Sequence, residues 1–110
     1  MKRMQILLLT MFVVAFALPA LAVDPASEAA WKKANCKMCH GEDGSGSTPA
    51  GKTMGAHDLR LPEVQKQTDD ELTKIISDGR KKMPPFKNKL SAAEIKAVIG
   101  YVRTFAKPAK

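Results

Sequence analysis

The chain has 110 residues, 45% of them hydrophobic, and a formal net charge of +7, which limits it to a single domain. Seventeen of the hydrophobic residues fall within the first 22 positions, and only 14 of the 88 residues from Val23 onward are Leu, Ile, Val or Phe. A chain this poor in large apolar residues either stays disordered or folds around something other than its own side chains.

Residues 1–22 have the layout of a secretory signal peptide. Two basic residues precede an apolar stretch over residues 6–18, and an Ala-x-Ala cleavage sequence ends at Ala22. The alternative is a retained membrane anchor, but this stretch is shorter than the roughly 20 residues that span a bilayer. We expect cleavage after Ala22, export to the periplasm, and a mature domain of residues 23–110 that is not integral to the membrane.

Helical elements are predicted along the mature chain. The first covers residues 26–39, which are rich in Ala, Lys and Glu and follow Pro25, a residue type favoured in the first turn of a helix. Five of the seven glycines fall within residues 41–55, which predicts a loop. A short helical turn is expected to start at Pro62.

Two capping boxes mark the starts of the last two predicted helices. Thr68 pairs with Glu71, and Ser91 pairs with Glu94. The first of these helices is expected to end at Gly79. The second carries apolar residues at i, i+3, i+4 and i+7: Ile95, Val98, Ile99 and Val102. Because no run of alternating β-branched residues predicts a strand, the expected fold class is all-α, with about four short helices.

Residues 36–40 read Cys-Lys-Met-Cys-His, the C-x-x-C-H signature of c-type haem attachment. Cysteines at i and i+3 of a helical turn lie on one face, so both thiols can reach the two vinyl groups at one edge of a porphyrin. His40 follows directly and is placed to offer Nε2 to the iron as the proximal ligand. One covalent haem held by Cys36 and Cys39 would also supply the apolar surface that the core lacks.

Three other interpretations of the two cysteines compete with haem attachment. A redox disulfide of the thioredoxin type requires the motif to follow a strand, whereas residues 27–35 are predicted to be helical. A zinc site requires further ligands, and His57 is the only other histidine in the chain. A structural disulfide, common in exported proteins, leaves His40 and the shortage of core residues unexplained.

The candidates for a ligand on the opposite side of the iron are Met38, Met54, His57 and Met83. Met38 lies within the attachment motif, on the wrong side to reach the opposite face. Met54 and His57 lie in the loop region, at the end of the glycine-rich segment and just after it, where packing explains Met54 and solvation explains His57. Met83 is followed by two prolines, and a stiff segment suits a fixed axial ligand. The alternative for Met83 is simple gap filling in the core.

These features together resemble the class I c-type cytochromes in their small bacterial form. The resemblance covers nearly all of residues 26–106 and includes the helix that leads into residues 36–40, the glycine-rich turn after them, the Met-Pro-Pro-Phe segment at residues 83–86 and the closing helix. It implies a small all-α fold around one covalent haem c, with His40 and Met83 as axial iron ligands.

The resemblance also implies roles for residues around the haem. Tyr101 matches an aromatic residue where the first and last helices cross, and Trp31 or Ala30 is expected to meet it. Pro49 matches a proline whose carbonyl accepts the Nδ1–H of the proximal histidine. From their apolar character and their placement in the chain, and not from the resemblance, the expected haem contacts are Leu59, Leu72, Ile76, Phe86 and Val98. The residues expected near the haem propionates are Lys52 and Arg60, unless either is simply solvated.

Basic residues cluster around the proposed ligand segment: Arg80, Lys81, Lys82, Lys87 and Lys89. Such a rim either steers an acidic partner protein or merely keeps the surface soluble. Nucleic acid is a poor alternative, because the protein is expected to be exported and lacks a basic groove interleaved with aromatic residues.

Two classes of function remain. Covalent haem with both axial positions filled predicts a monomeric one-electron carrier for redox proteins, and not an enzyme. A haem enzyme or gas-binding sensor requires a vacant or labile sixth position. The gas-binding four-helix cytochromes carry C-x-x-C-H near the C-terminus, whereas this motif ends at His40, near the expected mature N-terminus.

Overall fold

The computed structural model describes residues 24–106, which form six helices and no strand. The helices are α1 (Pro25–Lys33), α2 (Lys37–His40), α3 (Pro49–Met54), α4 (Pro62–Gln65), α5 (Asp69–Asp78) and α6 (Ala92–Arg103). The proposed signal peptide lies outside the described residues. Within them, no helix is long and apolar enough to cross a membrane. The predicted all-α class is confirmed.

The first predicted helix is two helices in the structure. The side chain of Asp24 accepts a hydrogen bond from the N–H of Ala26 and caps α1. The chain then leaves the helix at Ala34, and Asn35 adopts a left-handed φ of +55°, a conformation that asparagine tolerates better than most residues. Cys36 therefore starts a new helix, α2, and the attachment motif does not continue the direction of α1.

The glycine-rich segment contains a helix that the sequence did not predict. Thr48 caps α3 by accepting the N–H of Gly51, Pro49 occupies the first turn, and Gly55 ends the helix in the left-handed conformation. Each of these three residues is a favoured residue type at its position. The prediction of a loop was based on the glycine content of the segment and gave too little weight to these helix signals.

Both predicted capping boxes are present. Thr68 and Glu71 exchange side-chain and backbone hydrogen bonds at the start of α5, and Ser91 and Glu94 do the same for α6. Helix α5 ends at Gly79, as predicted. The short helix α4 begins at Pro62, again as predicted.

The core forms mainly where α1 crosses α6. The ring of Trp31 stacks on Tyr101 with centroids 4.6 Å apart, and Gly100 allows the two helices to approach, because a Cβ there would lie 3.1 Å from Ser27 Oγ. Helix α5 packs on another part of α6. Buried residues of the core include Ala30, Leu72, Ile76, Ile95, Val98, Ile99 and Val102.

Polar contacts tie the ends of these helices together. Lys33 Nζ lies 2.8 Å from a Glu94 carboxylate oxygen and joins α1 to α6. The guanidinium of Arg103 donates to the carbonyls of Gln65 and Gln67 and to the Asp69 carboxylate at distances of 2.6–2.8 Å. Because arginine presents several donors in a fixed plane, this one side chain holds the end of α4 and the start of α5 against α6.

Candidate functional site

The structure contains a cavity of about 940 Å³, lined by residues from all six helices and from the segment after α5. This volume lies near the upper end of the range of about 300–1,000 Å³ found for ligand sites. Four of the five residues expected to contact haem line it: Leu59, Ile76, Phe86 and Val98. The fifth, Leu72, is buried in the core but does not line the cavity. The fold thus leaves room for a bulky apolar ligand.

The two cysteines lie at this cavity as half-buried free thiols. Burial raises the pKa of the Cys36 thiol to about 11, whereas the attacking cysteines of redox disulfides have lowered pKa values. Within residues 24–106, no group of three or more His, Cys, Asp or Glu side chains is arranged to hold a metal ion. The raised pKa of Cys36 is the opposite of what the redox-disulfide interpretation requires.

His40 lines the same cavity from the last position of α2. Its Nδ1 atom lies 3.1 Å from the carbonyl oxygen of His57. With the proton on Nδ1, the imidazole donates this hydrogen bond, and Nε2 keeps a lone pair for a metal. Burial lowers the pKa of His40, which favours the neutral form that binds metal ions. The protonation state of His40 therefore suits an iron ligand.

The acceptor for His40 differs from the prediction. Pro49 was expected to supply the carbonyl, and this is wrong, because His57 supplies it. The carbonyl of Pro49 instead accepts a hydrogen bond from Thr53 Oγ1 at 3.0 Å. Pro49 starts α3, so its carbonyl is directed along that helix. Every residue carries a backbone carbonyl, so no side-chain signal marks His57 as the acceptor.

The hydroxyl of Thr48 joins the attachment helix to α3. Its one proton is shared between the carbonyls of Met38, at 2.6 Å, and Cys39, at 3.1 Å, and its oxygen accepts the N–H of Gly51 at 2.9 Å. The next carbonyl of α2 accepts the N–H of Gly46 at 2.8 Å. The open carbonyls at the end of α2 are thus bound by one loop. Sequence reasoning missed Thr48, although threonine before proline is a recognisable helix start.

Met83 lines the cavity from a tight turn that follows α5. The N–H of Arg80 donates to the Met83 carbonyl at 3.1 Å, and the N–H of Met83 donates to the Arg80 carbonyl at 2.9 Å. Further along, the N–H of Phe86 donates to the carbonyl of Ile76 at 3.0 Å. These bonds fix the turn to α5, and Met83 is half-buried against the core.

The other three candidates for a sixth ligand also line the cavity: Met38, Met54 and His57. Met38 and Met54 are 56% and 41% exposed, whereas Met83 packs against the core. His57 is exposed as well. Of the four, Met83 has the most restrained surroundings.

Two further predicted residues lie outside the cavity lining. Tyr101 stacks on Trp31, as expected, and it is the Trp31 ring that lines the cavity. Arg60 forms an ion pair with Asp58 at 2.9 Å and does not line the cavity, whereas Lys52 does. The expectation that Arg60 approaches a bound ligand is therefore not supported.

Basic side chains outnumber acidic ones around the cavity. The basic residues that line it are Lys52, Arg80, Lys81, Lys82 and Lys89. Within the described part of the chain, Glu63 is the one carboxylate that lines it. Lys82 Nζ donates to the carbonyl of Thr53 at 3.4 Å, so the turn that carries Met83 also contacts α3. The mouth of the cavity is therefore positively charged.

The residues present fit haem c. A large apolar cavity is lined by two thiols three residues apart, by an imidazole whose Nδ1 is hydrogen-bonded, and by a thioether. These are the groups that attach haem c and bind its iron. The lysines at the mouth are suited to the carboxylates that haem carries at one edge.

Comparison with known proteins gives a consistent result. Residues 24–102 match the family described as cytochrome c oxidase, cbb3-type, subunit III. The chain is 32% identical over 94 residues to a cytochrome c6 of Nostoc sp., covering 86% of this chain and 82% of the relative. It is 31% identical over 109 residues to a cytochrome c6 of Picosynechococcus sp., covering 93% and 92%.

A solved structure, that of the KustC0563 c-type cytochrome, also resembles this chain. The two are 36% identical with a TM-score of 0.65, and the match covers 74% of this chain and 98% of that one. The range matched to the family contains every residue named above as lining the cavity.

Proposed function

The chain belongs to the small class I c-type cytochromes, which carry haem c in electron transport, and we propose that it is a one-electron carrier with His40 and Met83 as axial iron ligands. Cys36 and Cys39 would hold one haem by thioether bonds. The observation that carries this proposal is that all four side chains line a single apolar cavity. His40 and Met83 together would leave no iron position open for a substrate, which would favour electron transfer over catalysis.

When bound, haem supplies the exchange of one electron between the ferric and ferrous states. The chain's own residues do the rest. The hydrogen bond from His40 Nδ1 to His57 fixes the ring and raises the basicity of Nε2. The turn around Met83 presents a soft sulfur ligand, which favours a relatively high reduction potential. The apolar walls, Leu59 and Phe86 among them, exclude water from the site.

The rim of lysines supports a partner with an acidic surface. A positive mouth attracts a negatively charged redox protein and raises the rate of encounter, and the exposed Met38 and Met54 offer apolar contact at the same mouth. We further propose that residues 1–22 are a signal peptide, that the mature chain acts in the periplasm as a monomer, and that it is not integral to the membrane.

The decisive experiment is expression with a haem-attachment system, followed by intact mass and optical spectra. A mass equal to residues 23–110 plus one haem supports cleavage and covalent attachment together. An unmodified chain with a Cys36–Cys39 disulfide would overturn the proposal.

Ligation by Met83 is tested in the same haem-loaded protein. The reduced wild type should be low spin and should bind carbon monoxide poorly, whereas Met83→Ala should be high spin and bind it rapidly. A wild type that binds carbon monoxide as fast as Met83→Ala would instead indicate a haem enzyme or gas sensor.

A further inference from the structure

The end of α5 has a backbone conformation that only glycine adopts readily. Gly79 is the C-cap of α5, with φ +77° and ψ 167°. A residue with a side chain adopts this combination of φ and ψ only at a cost in free energy. That cost lowers the population of the conformation by on the order of tenfold or more. Any other residue at position 79 would therefore strain the backbone.

The segment that carries Met83 folds back over this glycine. A Cβ placed on Gly79 would lie 2.7 Å from the carbonyl oxygen of Met83, 2.9 Å from the nitrogen of Pro85 and 3.0 Å from the carbonyl carbon of Pro84. All three are backbone atoms, so no side-chain rotation relieves the contact. The turn that holds Met83 rests against the bare α-carbon of Gly79.

One hydrogen bond of the turn involves a backbone atom that also contacts Gly79. The Met83 carbonyl that lies nearest to Gly79 is the acceptor for the N–H of Arg80. A methyl group on Gly79 would push that carbonyl away and weaken the bond that closes the turn. The two prolines after Met83 limit how the chain can adjust, because their φ angles are fixed.

We propose that Gly79 is a positioning residue for the sixth iron ligand. Its missing side chain lets the backbone of residues 83–85 lie against the end of α5, and this contact holds Met83 in the cavity wall. The inference rests on the proposed function, since it requires Met83 to bind the iron. It adds that the occupation of the sixth iron position by Met83 depends on Gly79, which does not itself line the cavity.

The test compares Gly79→Ala with wild type as haem-loaded protein. We expect carbon monoxide to bind the reduced variant about tenfold faster than wild type. This factor corresponds to a decrease of about 1.4 kcal/mol in the free energy that is needed to open the sixth iron position. The long-wavelength absorption band of a sulfur-ligated ferric haem should weaken. Amide exchange at Arg80 and Met83, measured on the same protein, should accelerate, because the turn opens more often.

Two control variants separate positioning from general loss of stability. Lys96 lies at an exposed position of α6 and does not line the cavity. Lys96→Gly therefore lowers the stability of the domain without touching the turn. Lys74→Gly weakens α5 at an exposed position away from the cavity lining. Both controls should bind carbon monoxide within about twofold of wild type, consistent with the expected confinement of the effect to the turn.

Each result distinguishes this inference from the proposed function. If Met83→Ala opens the iron but Gly79→Ala binds carbon monoxide like wild type, the positioning role is wrong and the ligand assignment stands. If Gly79→Ala yields no haem-loaded protein while both controls do, Gly79 serves folding in general, and the inference is again wrong. If wild type and Met83→Ala behave alike, the ligand assignment itself has failed.

Discussion

Replacing Thr48 with valine is expected to destabilise the haem-loaded protein by about 2–4 kcal/mol. Valine keeps the shape of threonine and replaces the hydroxyl with a methyl group. That hydroxyl caps α3 by accepting the Gly51 N–H, a contribution of about 1 kcal/mol. Its one proton is also shared between the carbonyl of Met38, in an exposed bond, and that of Cys39, in a partly buried one, and leaving the partly buried acceptor unpaired costs about 1–3 kcal/mol.

Two further variants make this prediction specific. Thr53 lies in the same short helix and donates one exposed hydrogen bond to the Pro49 carbonyl, so Thr53→Val should cost at most about 1 kcal/mol. Thr48→Ser retains the hydroxyl and should recover most of the stability that Thr48→Val loses. Urea unfolding, followed by haem absorbance and far-ultraviolet circular dichroism, measures all three variants on one scale.

The reasoning about Thr48 fails on either of two results. One is an equal loss of stability in Thr48→Val and Thr53→Val, which would mean that the two α2 carbonyls gain nothing from the Thr48 hydroxyl. The other is a Thr48→Ser variant as unstable as Thr48→Val, which would assign the effect to packing of the methyl group.

Three other predictions follow from the surface and the helix contacts. Arg103→Gln should lower the free energy of unfolding by about 1–3 kcal/mol, because two carbonyls at the end of α4 lose a charged donor; a change below about 0.5 kcal/mol in urea titration would contradict this. The ammonium of Lys33 and the N–H of Ser91 hold the pKa of Glu94 below its ordinary value of 4.5. The stabilisation from Glu94 is therefore complete above that value and is lost as the pH falls through the lower folded pKa. In Glu94→Gln, the urea midpoint of unfolding should fall less steeply with decreasing pH than in wild type. An equally steep fall would refute the role of Glu94. Replacing both Lys81 and Lys82 with glutamine should slow electron transfer to an acidic redox protein at low salt and flatten its salt dependence in stopped-flow measurements; an equally steep salt dependence would place the docking charge elsewhere.

Local sequence signals predicted much of the fold and the chemistry of the site. The capping boxes at Thr68 and Ser91 depend on side chains three residues apart, and the structure has both. The C-x-x-C-H spacing is equally local. It therefore predicted the position of the candidate site in the chain without any knowledge of tertiary contacts.

The features that were missed depend on the backbone and on long-range contacts. Asn35 breaks the first helix through a left-handed φ, which the helix-favouring residues around it do not reveal. The carbonyl of His57 binds His40 across 17 residues, and carbonyls are common to every residue type. The role of Gly79 appears only once the chain after Met83 is seen to return against it.

The contact between α1 and α6 brings together the two ends of the domain, since Lys33 and Glu94 are 61 residues apart in sequence. The closure of so long a loop is entropically costly. The thiols at residues 36 and 39, by contrast, lie at a four-residue helix whose formation needs no distant contact. We expect the haem-attachment turn to be open to modification before the contact between α1 and α6 forms, while Trp31 still lacks Tyr101 as its partner. Haem would be joined to an open chain, and the last helix would then close the domain over it.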